Sequence, residues 1–353
     1  MKILILCVGI LILQVAANVH LNVKYRDVLH GKAELTEETS RQIYSEFATV
    51  YARKSESHYE TFRDTLNEIR EHNLKNLSWT QGINDYSDLT FEQFAALRLM
   101  APQNCSATHN LKVSDSFKNL GIPESFEWNN FGVVTPVKNQ ASCGSCWTFS
   151  TVGSLEAFWN IQNKGKNVTF SEQQLVDCAG DFNNFGCSGG LPSQAFEYIR
   201  HAGGIQTDLT YTYKAVNQVC AADKTKYVGQ VKYGSYNITE GDEVELAERL
   251  YIAGPIAISF QVINGFKNYM TGVYSVAGCG KTTQDINHAV LATGYGTENG
   301  MKFWNVKNSW GTSFGNQGYF KIEREKNMCA IAMCNSYPLL DRPTSQGLEE
   351  VIV

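Results

Sequence analysis

Hydrophobic positions in the first third of the chain are spaced as in amphipathic helices. Between about residues 18 and 99 the sequence is charged, and apolar residues recur at intervals of three and four, as at Tyr59, Phe62, Leu66 and Ile69. This spacing puts them on one helical face. We therefore predict a separate helical segment at 18–100. Residues 101–120 are polar and without periodicity, which is typical of a region that is cut during processing.

The hydrophobic pattern changes at Ile122 to a globular sequence with helices first and strands later. Predicted helices run from Cys146 to about Asn163, over 171–178, over 192–203 and over about 242–252. The first of these has Phe149, Val152, Leu155, Phe158 and Ile161 on one face. Predicted strands cover 256–260, 288–295, 302–307 and 318–322. The pattern indicates an α+β fold with a helix-rich lobe (about 121–230), a sheet-rich lobe (about 231–339) and a cleft between them.

The N-terminal segment has the pattern of a signal peptide. An apolar run from Ile3 to Leu13 is followed by small residues up to Ala17, so we predict cleavage near Ala17 and entry into the secretory pathway. The run is too short to span a membrane, and we predict no membrane span. Four Asn-x-Ser/Thr triplets agree with this route, although each alone is weak evidence: Asn76, Asn104, Asn167 and Asn237.

Composition narrows the class of protein. The 353 residues are 43% hydrophobic with a net charge of −5, which suits a globular protein and argues against nucleic acid as a partner. Of ten cysteines, Cys7 leaves with the signal peptide. If Cys146 stays free, eight remain for four disulfides, a number typical of an oxidising compartment. Their pairing does not follow from spacing.

Cys146 is the candidate nucleophile. It opens a predicted helix, and the partial positive charge at a helix N-terminus favours the thiolate, so we expect a lowered thiol pKa. Cys143 and Cys146 also form Cys-x-x-Cys, which is compatible with a redox pair or half a zinc site. Both alternatives are weaker, because the sequence has no second such pair and no His-x3-5-His to complete a zinc site. We expect no metal and no cofactor.

Three further residues complete a candidate site for thiol hydrolysis. His288, which opens a predicted strand, is the candidate base, while His201 at a helix end is more typical of a surface cation. Asn308 can orient the imidazole, with Trp310 keeping water off that hydrogen bond. The side chain of Gln140 and the backbone N–H of Cys146 form a plausible oxyanion pair.

These residues resemble the papain-like cysteine proteases. The segment from Gln140 to Trp147 matches their cysteine motif, and His288 lies 142 residues (288 − 146) after Cys146, within the family's spacing. Residues 82–88 resemble the inhibitory motif of the family's propeptides. The resemblance implies a two-lobed fold and a lysosomal or secreted zymogen. It also implies peptide and protein substrates, inhibition by its own propeptide at 18–100 and by cystatin-type inhibitors, and a monomeric state.

Within the family, residues 101–108 are similar to the mini-chain of the cathepsin H branch, an eight-residue peptide retained after processing. The resemblance implies aminopeptidase activity with some endopeptidase activity, and substrate binding by Gly189, Gly190, Pro192, Ala289 and the Thr108 carboxylate. It implies the disulfides Cys143–Cys187, Cys178–Cys220, Cys279–Cys329 and Cys105–Cys334. It leaves 109–120 as a linker and gives 340–353 no role.

Two other functions remain open at this point. One is an endopeptidase that loses the mini-chain during maturation. The other is a non-catalytic secreted binding protein on the same scaffold, which would tolerate loss of Cys146, His288 or Asn308, all of which are present.

Overall fold

The computed structural model describes residues 20–53, 56–103, 105, 121–163 and 167–341. The helices with defined ends are α1 (Arg26–Leu29), α2 (Glu37–Val50), α3 (Tyr59–Leu74), α4 (Phe91–Arg98), α5 (Cys146–Gln162), α6 (Glu172–Cys178), α7 (Pro192–Ala202) and α8 (Glu243–Ile252). The strands are β1 (Trp79–Gln81), β2 (Phe126–Glu127), β3 (Ser235–Asn237), β4 (Ile256–Phe260), β5 (Tyr269–Tyr274), β6 (His288–Glu298), β7 (Met301–Lys307), β8 (Tyr319–Glu323) and β9 (Ser336–Pro338).

The helical pro-region has a hydrophobic core of its own. The apolar faces of α2 and α3 meet there, with the rings of Phe47 and Phe62 only 4.5 Å apart and both side chains fully buried. Thr36 caps α2 by accepting a hydrogen bond from the Thr39 N–H. The three- and four-residue spacing of this segment therefore predicts its structure correctly.

Helix α5 forms the centre of the helix-rich lobe, but not with the single apolar face that its sequence predicts. It is buried on nearly every side, while Phe158 and Ile161 at its far end are only partly buried. Its small polar residues bind the neighbouring lobe: the Ser150 hydroxyl donates to the Val290 carbonyl at 2.6 Å and the Ser154 hydroxyl to the Pro255 carbonyl at 2.7 Å. Buried polar groups satisfied in this way hold the two lobes together.

The sheet-rich lobe is a nine-stranded sheet in the order β1-β5-β8-β7-β6-β4-β9-β3, with β2 paired to β6. Its four predicted strands are present, and β5 runs parallel to β8. The strand β1 comes from the pro-region and pairs antiparallel with β5, with Trp79 opposite Gly272. The pro-region thus extends the sheet of the globular part. The predicted α+β fold with two lobes is confirmed.

The structure has four disulfides, which are the four pairs that the family resemblance implies. Cys143 is therefore bonded to Cys187, so the redox and zinc alternatives for Cys143 and Cys146 are wrong. Among the described residues, no helix has the length and apolar character needed to cross a membrane. The predicted signal peptide, the predicted linker at 109–120 and residues 342–353 lie outside the described residues.

Candidate active site

Cys146 is the first residue of α5 and is the one free cysteine in the described part of the chain. Its side chain is fully buried at the boundary between the lobes. The Sγ atom accepts a hydrogen bond from the backbone N–H of Ala289 at 3.4 Å, which places it beside the start of β6. The helix-rich lobe thus supplies the thiol and the sheet-rich lobe supplies the strand that faces it.

The expectation of a lowered thiol pKa is wrong for this form of the protein. Burial raises the pKa of Cys146 to about 12, because it outweighs the backbone N–H groups of Ala289, Trp147 and Cys146 itself, which favour the thiolate. The helix N-terminus is present as predicted, but no water reaches the sulfur. At neutral pH the thiol is uncharged.

His288 begins β6 and is oriented by Asn308. Its Nε2 lies 2.8 Å from the Asn308 Oδ1, which also accepts the backbone N–H of Ser309, so Nε2 carries the proton and donates. The ring stacks on Trp310 with centroids 4.6 Å apart. This leaves Nδ1 without a partner among the described residues and suited to act as a base.

The imidazole is also uncharged in this form. Burial lowers the pKa of His288 to about 4, the hydrogen bond to Asn308 opposes this shift, and the positive charge of Arg98 adds to it. Cys146 and His288 are thus both neutral here, so this form lacks the thiolate and imidazolium that a thiol hydrolase uses.

Gln140, the predicted side-chain donor to an oxyanion, binds a backbone carbonyl of the pro-region. The Gln140 Nε2 donates to the backbone carbonyl of Arg98 at 2.9 Å. Its Oε1 accepts the Ser309 hydroxyl at 2.7 Å, which fixes the orientation of the amide. A carbonyl oxygen from the pro-region therefore lies where a substrate carbonyl would be polarised.

From Arg98 the chain continues along the cleft. The Met100 N–H donates to the Asn287 carbonyl at 2.9 Å, and the Ala101 N–H donates to the Ser188 carbonyl at 3.3 Å. The Met100 side chain is buried in one cluster with Trp147 and Ala289. The pro-region thus binds the cleft through backbone hydrogen bonds and an apolar side chain, as a peptide substrate would.

The two predicted substrate-binding glycines have different surroundings. A Cβ on Gly189 would lie 2.8 Å from the Met100 Cβ, so Gly189 faces the bound pro-region, and its contact with a substrate stays a prediction. A Cβ on Gly190 would instead lie 2.4 Å from Asn184 and 2.7 Å from the Trp147 ring. The missing side chain of Gly190 thus makes room for Trp147 of its own lobe, and the contact of its backbone with a substrate stays a prediction.

The mini-chain is described only at residues 101–103 and 105, so Asn104 and Thr108 lie outside the described residues. Cys105 is bonded to Cys334 and shares a surface cleft with Pro192. The Gln103 Nε2 lies 2.9 Å from the position of a Cβ on Gly189, so the chain passes Gly189 between Met100 and residue 105.

The segment 82–88 attaches the pro-region to the sheet-rich lobe. Asn84 Nδ2 donates to the Lys267 carbonyl at 2.6 Å, and the Tyr86 hydroxyl donates to the Trp310 carbonyl at 3.1 Å. Asp88 is almost fully buried and pairs with Arg53 Nε at 2.7 Å. The first two contacts connect the pro-region to the sheet-rich lobe, one of them at Trp310, which stacks on His288. The ion pair between Arg53 and Asp88 holds this segment within the pro-region.

Sequence reasoning did not identify Arg98 and Met100, the two pro-region residues that occupy the cleft, because nothing in their local pattern distinguishes them. The predicted surface role of His201 agrees with its 55% side-chain exposure. The described sequon residues Asn76 and Asn167 are exposed, and Asn237 is half-buried in β3.

The fold and this site define a class of protein, a thiol protease with its inhibitory pro-region in place. Residues 122–339 match the model of the papain family cysteine proteases, and residues 44–94 match that of the cathepsin propeptide inhibitor domain. The chain belongs to the papain family of cysteine proteases and is made as a zymogen.

Relatives and solved structures agree with this assignment. The chain is similar to pro-cathepsin H of Bos taurus (45% identity, 88% of this chain and 93% of the relative) and to thiol protease aleurain of Arabidopsis thaliana (44%, 94% and 97%). Among solved structures it is similar to digestive procathepsin L2 of Tenebrio molitor (TM-score 0.80, 36% identity, 85% of this chain and 100% of that one).

Proposed function

We propose that Cys146 attacks the carbonyl of the scissile peptide bond once the pro-region has left. His288 takes the proton of the Cys146 thiol and passes it to the leaving amine. It then takes a proton from the water that hydrolyses the acyl-enzyme and returns it to the Cys146 thiolate that leaves. Asn308 orients His288, and Gln140 with the Cys146 N–H binds the oxyanion. The observation that supports this assignment is the Arg98 carbonyl bound to Gln140, because a substrate carbonyl bound in the same way would lie at the proposed oxyanion donors.

The type of peptidase activity that we propose is aminopeptidase activity with residual endopeptidase activity. The disulfide between Cys105 and Cys334 supports it, because a peptide tethered beside Pro192 would occupy the end of the cleft that long substrates need. We assign 101–108 as the retained mini-chain and 121–339 as the catalytic domain. The Thr108 carboxylate would then bind the free amine of a substrate. Pro-cathepsin H relatives support the same assignment.

The test is a double variant, Cys105→Ser with Cys334→Ser, which releases the mini-chain after processing without leaving an unpaired thiol. We expect kcat/KM for a free-amine aminoacyl reporter to fall about ten- to a hundredfold, because a charge-assisted contact is lost, while cleavage of N-blocked peptides rises. Mass spectrometry without reductant checks whether residues 101–108 remain attached in the unaltered enzyme. An unchanged ratio of the two activities would favour the endopeptidase alternative.

We also propose that residues 18–100 inhibit the enzyme through the contacts around Asp88. Replacing Arg53 by Met leaves the buried Asp88 carboxylate without its ion pair, and such a loss costs about 3–5 kcal/mol. We expect the isolated variant pro-region to inhibit processed enzyme at least a hundredfold less well. Arg63→Met is the matched control, because the ion pairs of Arg63 are exposed and contribute little. Equal inhibition by the two variants would contradict the proposal.

The proposal extends to the localisation, oligomeric state, inhibitors and glycosylation of the protein. We propose that residues 1–17 direct it into the secretory pathway, to a lysosomal or secreted destination, and that it acts as a monomer subject to cystatin-type inhibitors. Asn76, Asn104, Asn167 and Asn237 are the candidate glycosylation sites. Mass spectrometry before and after glycosidase treatment identifies which of them carry a glycan.

A further inference from the structure

The side chain of Arg98 is held by the catalytic domain next to the reacting position. Its Nη1 donates to the Asn139 Oδ1 at 2.9 Å and to the Ala141 carbonyl at 2.6 Å, and the residue is 8% exposed. Both acceptors belong to the segment that flanks Gln140. Two oxygens of the catalytic domain thus bind the guanidinium of Arg98. The backbone carbonyl of Arg98 itself occupies the proposed oxyanion position.

The direction of the bound pro-region shows on which side of the cleft the Arg98 side chain lies. Residues 99–101 run from that carbonyl past Gly144 towards Ser188 and Gly189, which is the side where the mini-chain is tethered. The Arg98 side chain points the opposite way, to Asn139 and Ala141. It therefore lies on the side that would receive the leaving group of a substrate.

The two acceptors are positioned without help from the pro-region. Ala141 has a φ of 50°, unusual for a residue with a side chain, and its N–H donates to the Asn139 Oδ1 at 2.9 Å. The Gln140 N–H donates to the Ser309 carbonyl at 2.8 Å, and the Tyr213 hydroxyl donates to the Gln140 carbonyl at 2.8 Å. All of these contacts lie within the catalytic domain, so the acceptors keep their places when the pro-region leaves.

We propose that Asn139 Oδ1 and the Ala141 carbonyl form a cation subsite that selects substrates with arginine immediately after the scissile bond. This inference rests on the proposed function and adds the substrate class. A guanidinium suits the site because its several N–H donors can reach two oxygens at once. Tyr86, whose ring lies 4.9 Å from the Arg98 guanidinium, leaves with the pro-region, so water covers that face in the processed enzyme.

The experiment compares arginine with citrulline, which keeps the shape and loses the charge. Enzyme processed from the full chain is given free-amine peptides that carry arginine, citrulline or leucine at the first or the second position after the scissile bond. Mass spectrometry identifies the bond that is cut. We expect kcat/KM for arginine at the first position to exceed that for citrulline about tenfold, since charged hydrogen bonds at a partly hydrated site are of this strength.

Asn139→Asp provides the second measurement. An aspartate keeps an oxygen that can accept the Ala141 N–H and adds a negative charge beside the guanidinium. We expect the arginine-to-citrulline ratio to rise about a further tenfold in this variant, and the ratio within each enzyme cancels changes in overall activity. An arginine-to-citrulline ratio near one at both peptide positions in the unaltered enzyme would overturn the proposed subsite. The same ratio in the unaltered enzyme and in Asn139→Asp would also overturn it. Cleavage of the citrulline and leucine peptides would in either case leave the proposed function standing. Failure to cleave any peptide would overturn both.

Discussion

Replacing Cys146 by alanine should reduce peptide hydrolysis by the processed enzyme roughly 10⁴-fold or more, because the variant has no nucleophile and the oxyanion donors alone retain only a small part of the rate enhancement. His288→Ala should have an effect of similar size, and the double variant should be little worse than either single one. Rate losses that do not add up in the double variant indicate that the two groups act together in the same step.

The measurement needs processing that does not depend on the variant's own activity, so a trace of active enzyme is used to cleave the precursor and is then removed. Thermal unfolding of each variant precursor checks that the fold is retained. Substantial hydrolysis by Cys146→Ala would contradict the assignment of the nucleophile. Absence of hydrolysis by the unaltered processed enzyme would instead favour the non-catalytic alternative.

Alkylation of Cys146 by iodoacetamide should be on the order of a thousandfold slower in the precursor than in the processed enzyme at pH 7. With its pKa raised to about 12, the thiol is ionised to roughly one part in 10⁵ at pH 7, whereas a thiol near its usual pKa of about 8.5 is ionised to a few per cent. A thiolate paired with imidazolium is ionised more fully still, so a thousandfold is the lower limit of the expected difference. Burial of the sulfur slows the reaction further.

The pH dependence gives this result a second signature. Because the thiolate is the reacting form, the rate in the precursor should rise about tenfold for each pH unit up to the pKa of about 12, without a plateau between pH 6 and 10. In the processed enzyme, a Cys146 paired with imidazolium should instead react at a rate that changes little between pH 5 and 8. Cys146→Ser serves as the control for labelling elsewhere. Equal rates in the two forms would contradict a pro-region that keeps the site neutral.

The candidate catalytic residues are largely predictable from sequence, because short motifs position them locally. Cys146 opens a helix and His288 opens a strand in the structure as predicted, and Asn308 is within hydrogen-bonding distance of His288. The burial and neutral charge state of Cys146 and His288 were not predictable in the same way. It depends on Arg98 and Met100, which reach the cleft only through tertiary contacts of the pro-region.

The same distinction applies to the fold. The three- and four-residue spacing of apolar positions predicts the helices of the pro-region, such as α3, and runs of β-forming residues predict the strands β4, β6, β7 and β8. The short strand β1 carries no such signal, since three residues show no period, and it exists because β5 offers it an edge. In α5 the polar residues Ser150 and Ser154 obscure the burial of the helix, because sequence alone does not show which backbone carbonyls they will meet.

Burial of the Cys146 thiol also bears on how the disulfides persist. Cys146 lies three positions after Cys143, so an ionised Cys146 would be close to the Cys143–Cys187 bridge and could attack it by thiol–disulfide exchange. Such exchange requires a thiolate with access to a disulfide sulfur. A pro-region that keeps this sulfur protonated and covered removes both conditions. Once folded, the precursor can therefore keep the four bridges of its described residues beside an unpaired cysteine until the pro-region leaves.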